Sequence, residues 1–372
     1  MWTFSGASMT AGAAPVAEAA NPLIVRFAAF GDVVLLTTLI GALHQRYGRP
    51  IDLLSSGAWT PKLLAADPRV GHIELLSSRK SPYLISPEQW RAVRWLRQRG
   101  AGPVYACDTD DKSYWLLRHA GIDRAFIVRA QYAPPPGEVP HWCEWWLSRA
   151  ALTPAAYAGQ VPSLDLSRAE AIPHLYVTAA ERVALVSWLA EKGWAQAPLV
   201  LIQAGNKRTL KRGRLATLSD NKYWPAERWA AVANGVLAQL PHAQILLCGA
   251  PQEAALVEQI RRASDSSQVH NLAEQLPIGR LLALLERAHS LISVDTGPAH
   301  AAAALDCPLV VLFGSHEQRA WHPRSPSGAV RAVGGAHGAS SQLLDISVEE
   351  VLAAWRSLPR AGEARARSGP TP

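Results

Sequence analysis

Long apolar runs are missing from this chain of 372 residues. With no stretch of about 18 apolar residues, a membrane-spanning helix is not expected. Cysteine is sparse: Cys107, Cys143, Cys248 and Cys307 stand far apart, and no pair has the spacing of a redox or metal-ligand motif. Each is expected to be a small, reduced core residue, which fits a cytoplasmic location. No Gly-x-Gly-x-x-Gly follows the first strand pattern and no Gly-x-x-x-x-Gly-Lys occurs, so neither a dinucleotide-dependent dehydrogenase nor a P-loop NTPase is expected. His316 and His322 lack a third ligand, and neither a metal nor a cofactor is expected. No nucleic-acid-binding module is recognisable, so nucleic acid is not an expected partner. Residues 1–22 are Ala-rich and have no Lys or Arg ahead of their apolar part; they read as a disordered leader rather than a secretory signal. Residues 359–372 read as a disordered tail.

About half of the residues are hydrophobic (49%), enough for ordinary cores, and the length suits two domains of ~150 residues each. The net charge of +7 favours anionic partners such as nucleotides or phospholipid headgroups. Strand-like runs at 23–26, 51–55, 72–76 and 103–108 alternate with helical patterns at 33–45, 57–66 and 87–99. A second rhythm has strands at 199–203, 244–248, 289–294 and 309–313, with helices at 225–239, 251–264, 276–288 and 348–358. Thr178 and Glu181 have capping-box spacing at the head of helix 178–192. This alternation predicts an α/β protein of two doubly wound parallel sheets with a cleft between them, ligands binding at the carboxyl ends of the strands. The expected organisation is a domain over 23–175, a second over 176–346, and a C-terminal helix over 347–358. Helix 87–99 carries Arg91, Arg94, Arg97 and Arg99 among Trp90 and Trp95. It reads as a solvated surface helix, or as one that lies on a membrane or grips acceptor phosphates.

The chain is organised around Ser293-Val294-Asp295-Thr296-Gly297-Pro298-Ala299-His300. A buried strand precedes it and an Ala-rich helix follows. Asp295 or Thr296 can cap that helix, Pro298 suits its first turn, and Gly297 lets the backbone approach a ligand closely. Such a turn is either an anion site at the positive end of the helix dipole or an ordinary well-capped βα turn. Two other stretches stand out: Ile24 to Val34, which contains Gly31-Asp32 directly after a strand, and Asp220-Asn221-Lys222-Tyr223-Trp224-Pro225.

In chain order the three stretches resemble the signature of the heptosyltransferases of glycosyltransferase family 9, from about Leu23 to Trp355. The resemblance implies a GT-B fold of two facing Rossmann-like domains, the first binding the acceptor and the second the nucleotide sugar. It implies an inverting, metal-independent glycosyltransferase that moves a sugar, heptose from ADP-heptose first among the candidates, to a lipopolysaccharide-core or related glycan acceptor. The enzyme would work in the cytoplasm, peripheral to the inner membrane. By itself Asp32 reads as a helix cap; the resemblance makes it the general base. It likewise assigns Lys222, Thr296 and Gly297 to the donor diphosphate, Asp295 to capping or to the sugar, and Glu253 to the nucleotide ribose. His300 reads equally as a donor-site residue and as a core histidine. On the acceptor side it points to Lys112 and Ser113 beside Asp108, to His141-x-x-Glu144, and to Arg26 for an anionic sugar.

The stretch 204–220 departs from the family: it is longer and more basic, with Thr209, Asn206 or Lys207 standing where a phosphate-binding Thr is expected. A different nucleotide sugar is therefore an alternative, as is a catalytically silent nucleotide-binding homologue that recruits partners to the membrane. Asp108-Thr109-Asp110 matches the Asp-x-Asp metal motif of another glycosyltransferase architecture but falls in the wrong half, and reads as coincidence.

Overall fold

The computed structural model describes residues 15–77, 83–108, 111–206, 210–211, 214–215, 222–314, 318–335 and 342–359. The first half runs β1 (Leu23–Arg26), α1 (Phe30–Tyr47), β2 (Ile51–Ser55), α2 (Thr60–Leu63), β3 (Val70–Leu75), α3 (Pro87–Gln98), β4 (Val104–Ala106), α4 (Asp111–His119), β5 (Ile127–Arg129) and α5 (Trp142–Ala150). The second half opens with α6 (Ala179–Glu191) and β6 (Leu199–Gln203), then a small ribbon of β7 (Leu210–Lys211) and β8 (Arg214–Leu215). It continues through α7 (Ala226–Gln239), β9 (Gln244–Cys248), α8 (Ala254–Ser264), β10 (Val269–Asn271), α9 (Ile278–Arg287) and β11 (Ser290–Val294). It closes with α10 (Gly297–Ala304), β12 (Leu309–Phe313), α11 (Gln318–Trp321), β13 (Val330–Gly334) and α12 (Val348–Arg356).

Two parallel sheets result, ordered β3-β2-β1-β4-β5 and β10-β9-β6-β11-β12-β13. Counted within its own half, each follows the 3-2-1-4-5 order of a Rossmann sheet, the second with a sixth strand at its edge. The central strands are apolar because helices cover both faces: β6, β11 and β12 are buried along their whole length. Thr178 caps α6 by accepting from the Glu181 N–H at 3.1 Å, and Glu181 accepts from the Thr178 N–H at 3.2 Å, as the capping-box spacing predicts. All four cysteines are buried, and none forms a disulfide among the described residues.

One face of each sheet packs only within its own half. The other two faces merge into a single core that includes Leu36 and Trp146 from the first half and Leu285 and Ala302 from the second. α1 and α10 pack directly on each other across this join.

Three expectations change. The helix expected over 57–66 is only Thr60–Leu63. Five strands, β5, β7, β8, β10 and β13, escaped the sequence pattern. The leader expected over 1–22 is not free throughout: Ala19 is buried, Arg49 donates to the Val16 and Ala19 carbonyls, and the Ala20 N–H donates to Ala101. Residues 1–14 and 360–372 lie outside the described residues.

Candidate functional site

Each sheet has its switch point where strand order reverses, between β1 and β4 in the first half and between β6 and β11 in the second. In open α/β sheets such points, beyond the carboxyl ends of the strands, are where ligands bind. The Asp32 and Asp108 turns flank one point; Gly205 and the Asp295–Gly297 turn flank the other.

The two halves touch at the β1 and β11 turns. A Cβ on Gly31 would lie 3.0 Å from His300 Cδ2 and 3.3 Å from Gly297 Cα, and one on Gly297 would lie 2.6 Å from Phe30 Cδ1 and 3.2 Å from the Gly31 nitrogen. Neither glycine has a left-handed φ. Both are needed for space, because the starts of α1 and α10 meet backbone to backbone.

Asp32 is the third residue of α1. Its Oδ2 accepts from the Ala29 N–H at 3.0 Å, so it does cap the helix, while Oδ1 stands 3.9 Å from Arg26 and the side chain stays 20% exposed. Arg26, expected at the acceptor, is turned inward. It donates to the Cys107 carbonyl at 2.9 Å, lies 3.8 Å from Asp108 and sits over the rings of Trp142 and Trp146 at 5.4 and 5.7 Å. It thus bridges the carboxylates of Asp32 and Asp108. Asp108 accepts from the Phe27 N–H at 3.0 Å and from the Ser113 hydroxyl at 2.6 Å. Ser113 is therefore buried behind Asp108, whereas its neighbour Lys112 is exposed at the start of α4.

Across the join, the Lys222 ammonium donates to Asp295 Oδ2 at 2.6 Å and to the Asp295 carbonyl at 2.8 Å. Burial by itself would raise Asp295. The His300 imidazole, 3.7 Å from Oδ1, and the Lys222 charge outweigh it and hold the carboxyl well below the usual carboxylate range. This pairing corrects the capping expectation: Asp295 is drawn to a full positive charge rather than to backbone N–H groups. Thr296 occupies the N-cap position, but its hydroxyl pairs with Ser293 at 3.2 Å, so α10 starts without a side-chain cap. His300 is buried between Gly31 and Asp295, and its Nδ1 has no hydrogen-bond partner among the described residues.

Glu253 lies under the end of β6. Its Oε2 accepts from the Ala250 N–H at 2.7 Å, and Oε1 is buried without a partner among the described residues. A Cβ on Gly205 would fall 2.3 Å from that oxygen, so glycine there admits the carboxyl. Burial pushes the Glu253 carboxyl up. Thr209 and most of the basic stretch 204–220 lie outside the described residues.

His141 and Glu144, expected near the acceptor, instead join the halves. His141 Nδ1 accepts from the Cys143 N–H at 3.1 Å and Nε2 donates to the His322 carbonyl at 2.7 Å, which fixes the neutral tautomer. Burial first, and Arg324 second, push His141 down to about 4. Glu144 pairs with Arg324 at 2.5 Å, and Trp142 meets Trp321 at 5.2 Å. No signal in the sequence links these partners, which lie about 180 residues apart.

Residues 196–342 match the family model for glycosyltransferase family 9 (heptosyltransferase). Lipopolysaccharide heptosyltransferase 3 of Escherichia coli is 31% identical over 103 residues, a match covering 27% of this chain and 30% of that protein's length. Lipopolysaccharide heptosyltransferase 2 of Salmonella typhimurium is 24% identical over 346 residues, 88% of this chain and 95% of that one. In fold, the solved E. coli ADP-heptose lipopolysaccharide heptosyltransferase II superposes with a TM-score of 0.71 at 19% identity, covering 91% of this chain and 98% of that one. The Lys222–Asp295 pair and the Gly297 helix start thus fall inside the stretch that matches the glycosyltransferase family 9 (heptosyltransferase) model, and the chain as a whole has the GT-B fold.

Proposed function

We propose that the protein is an inverting, metal-independent glycosyltransferase that moves heptose from ADP-heptose to a lipopolysaccharide-core or related glycolipid acceptor, at the cytoplasmic face of the inner membrane. The observation that carries this reading is the contact between Gly31 and Gly297. It sets Asp32, from one half, beside the uncapped start of α10 and the Lys222 ammonium, from the other.

The chemistry follows from that juxtaposition. The acceptor hydroxyl gives its proton to the Asp32 carboxylate as its oxygen bonds to the anomeric carbon. The bond from that carbon to the diphosphate breaks on the opposite face, and its electron pair leaves with the diphosphate, so configuration inverts. Negative charge grows on the leaving group in the transition state, where Lys222, the Thr296 hydroxyl and the first N–H groups of α10 meet it. Oε1 of Glu253, which has no partner among the described residues, suits a ribose hydroxyl, Thr209 belongs with the diphosphate, and Lys112 faces the acceptor.

The test is calorimetric binding of ADP, UDP, GDP and ADP-heptose, with turnover measured in parallel. ADP and ADP-heptose should bind preferentially, and Lys222→Ala should weaken both. Asp32→Asn should lower turnover by roughly 10²- to 10⁴-fold with ADP binding nearly unchanged. Near-wild-type turnover in Asp32→Asn would remove the base assignment, and a preference for UDP or GDP would replace the donor.

A further inference from the structure

Among the large apolar side chains of the first half that stand in solvent, four come from α3, α4 and the turn before α3: Leu84 is 82% exposed, Ile85 72%, Trp90 47% and Trp115 39%. They are neighbours rather than scattered residues. Leu84 and Ile85 form a 3₁₀ turn with Tyr83 immediately before α3, and the Tyr83 ring lies 5.0 Å from Trp115 on α4. Grouped exposure of this kind marks an interaction surface.

The charge around the group is mainly positive; the acidic exceptions are Glu88, which accepts from Ser77, and Asp111 at the start of α4. α3 buries Gln89, Ala92, Val93 and Leu96. Its outer stripe places Trp90, Arg94 and Arg97 at successive turns, and Arg118 on α4 is likewise exposed. Arg94, Arg97 and Arg118 have no acidic partner among the described residues, whereas Arg91 is spent on Glu74 at 2.8 Å. The position is informative too. Leu84 and Ile85 belong to the connection from β3 to α3, so they lie at the carboxyl edge of the first sheet. That is the edge that carries Asp32 after β1 and Asp108 after β4.

We propose that this patch docks the protein on an anionic lipid bilayer. Leu84, Ile85 and Trp90 enter the interfacial layer, the arginines meet lipid phosphates, and the strand edge bearing Asp32 is turned towards the membrane. The mixture decides between partners: free nucleotides or phosphate need no protruding Leu-Ile turn, and a neutral apolar partner needs no arginine stripe. The glycolipid acceptor of the proposed function gives the docking its purpose, and to that extent the inference rests on it.

The test is co-sedimentation of the full chain with vesicles of phosphatidylcholine alone and with added phosphatidylglycerol, at low salt, with neither donor nor acceptor. Wild type should bind the phosphatidylglycerol vesicles and leave the neutral ones. Leu84→Ser/Ile85→Ser should lose most of that binding. Because these residues are exposed, the variant should keep the wild-type unfolding temperature and ADP binding. The proposal is overturned if wild type ignores phosphatidylglycerol, or if the variant binds as well as it does. It is also overturned if Leu84→Ser/Ile85→Ser only breaks up a self-associated form in gel filtration. Transfer to a lipid-free acceptor reports the glycosyltransferase reading separately, so failure of one is not failure of the other.

Discussion

At the scale of single residues, the Lys222–Asp295 pair does two things that are usually in conflict. It supplies a fixed cation to the site, and it keeps a carboxylate charged at 7% side-chain exposure. Stability is then linked to pH in a definite direction. The carboxyl of Asp295 is held below its unfolded value of about 3.9, so the stabilisation is fully present above that pH and is lost as pH falls towards the lower, folded value. Urea midpoints measured from pH 5 downwards should fall less steeply in Asp295→Asn than in wild type. Equal slopes would mean that the pair contributes nothing to folding. Asp295 also shows where local reading stops. A carboxylate directly before a helix predicts a cap, and only the fold, which brings Lys222 from 73 residues away, turns it into an ion-pair partner. Arg26 is the same case: its strand position was legible, but its two carboxylates and two indole rings come together only when β1, β4 and α5 pack.

At the scale of elements, the central strands were legible because a parallel sheet covered on both faces must be built from continuous apolar runs. β5, β10 and β13 were not, because each is short or partly exposed and its sequence mixes polar with apolar residues. The joint of α1 against α10 was visible only as two glycines in separate motifs. Their meaning is steric, so the two substitutions should differ in severity. Gly297→Ala drives a methyl to 2.6 Å from Phe30 and against the Gly31 backbone, whereas Gly31→Ala meets the His300 ring at 3.0 Å. Gly297→Ala should cost about 1–3 kcal/mol of stability and most of the turnover, with Gly31→Ala milder in both. Thermal melts and steady-state rates of the two variants check this; the reverse order would mean that the helix starts are not held by this contact.

At the scale of the whole molecule, the pattern of two βα rhythms with a connection between them suggests two separable bodies, and the family resemblance gave their fold. What neither conveyed is how far the bodies share a core. Leu36, Leu39 and Trp146 from the first half pack in the same apolar cluster as Leu201, Leu285 and Ala302 from the second. The polar joint of His141, Glu144 and Arg324 lies beside it, next to Trp142 and Trp321. The proposed site, built from residues of both halves, needs such a join, since the base and the cation proposed for Asp32 and Lys222 would act together only at a fixed separation. Burial at about 25 cal/mol per Å² of apolar surface makes a shared core costly to open. Equilibrium unfolding followed by far-ultraviolet circular dichroism and by tryptophan fluorescence should therefore give one coincident transition. Two resolved transitions would show that the halves fold independently, and the Gly31–Gly297 contact would then be a transient meeting of two bodies.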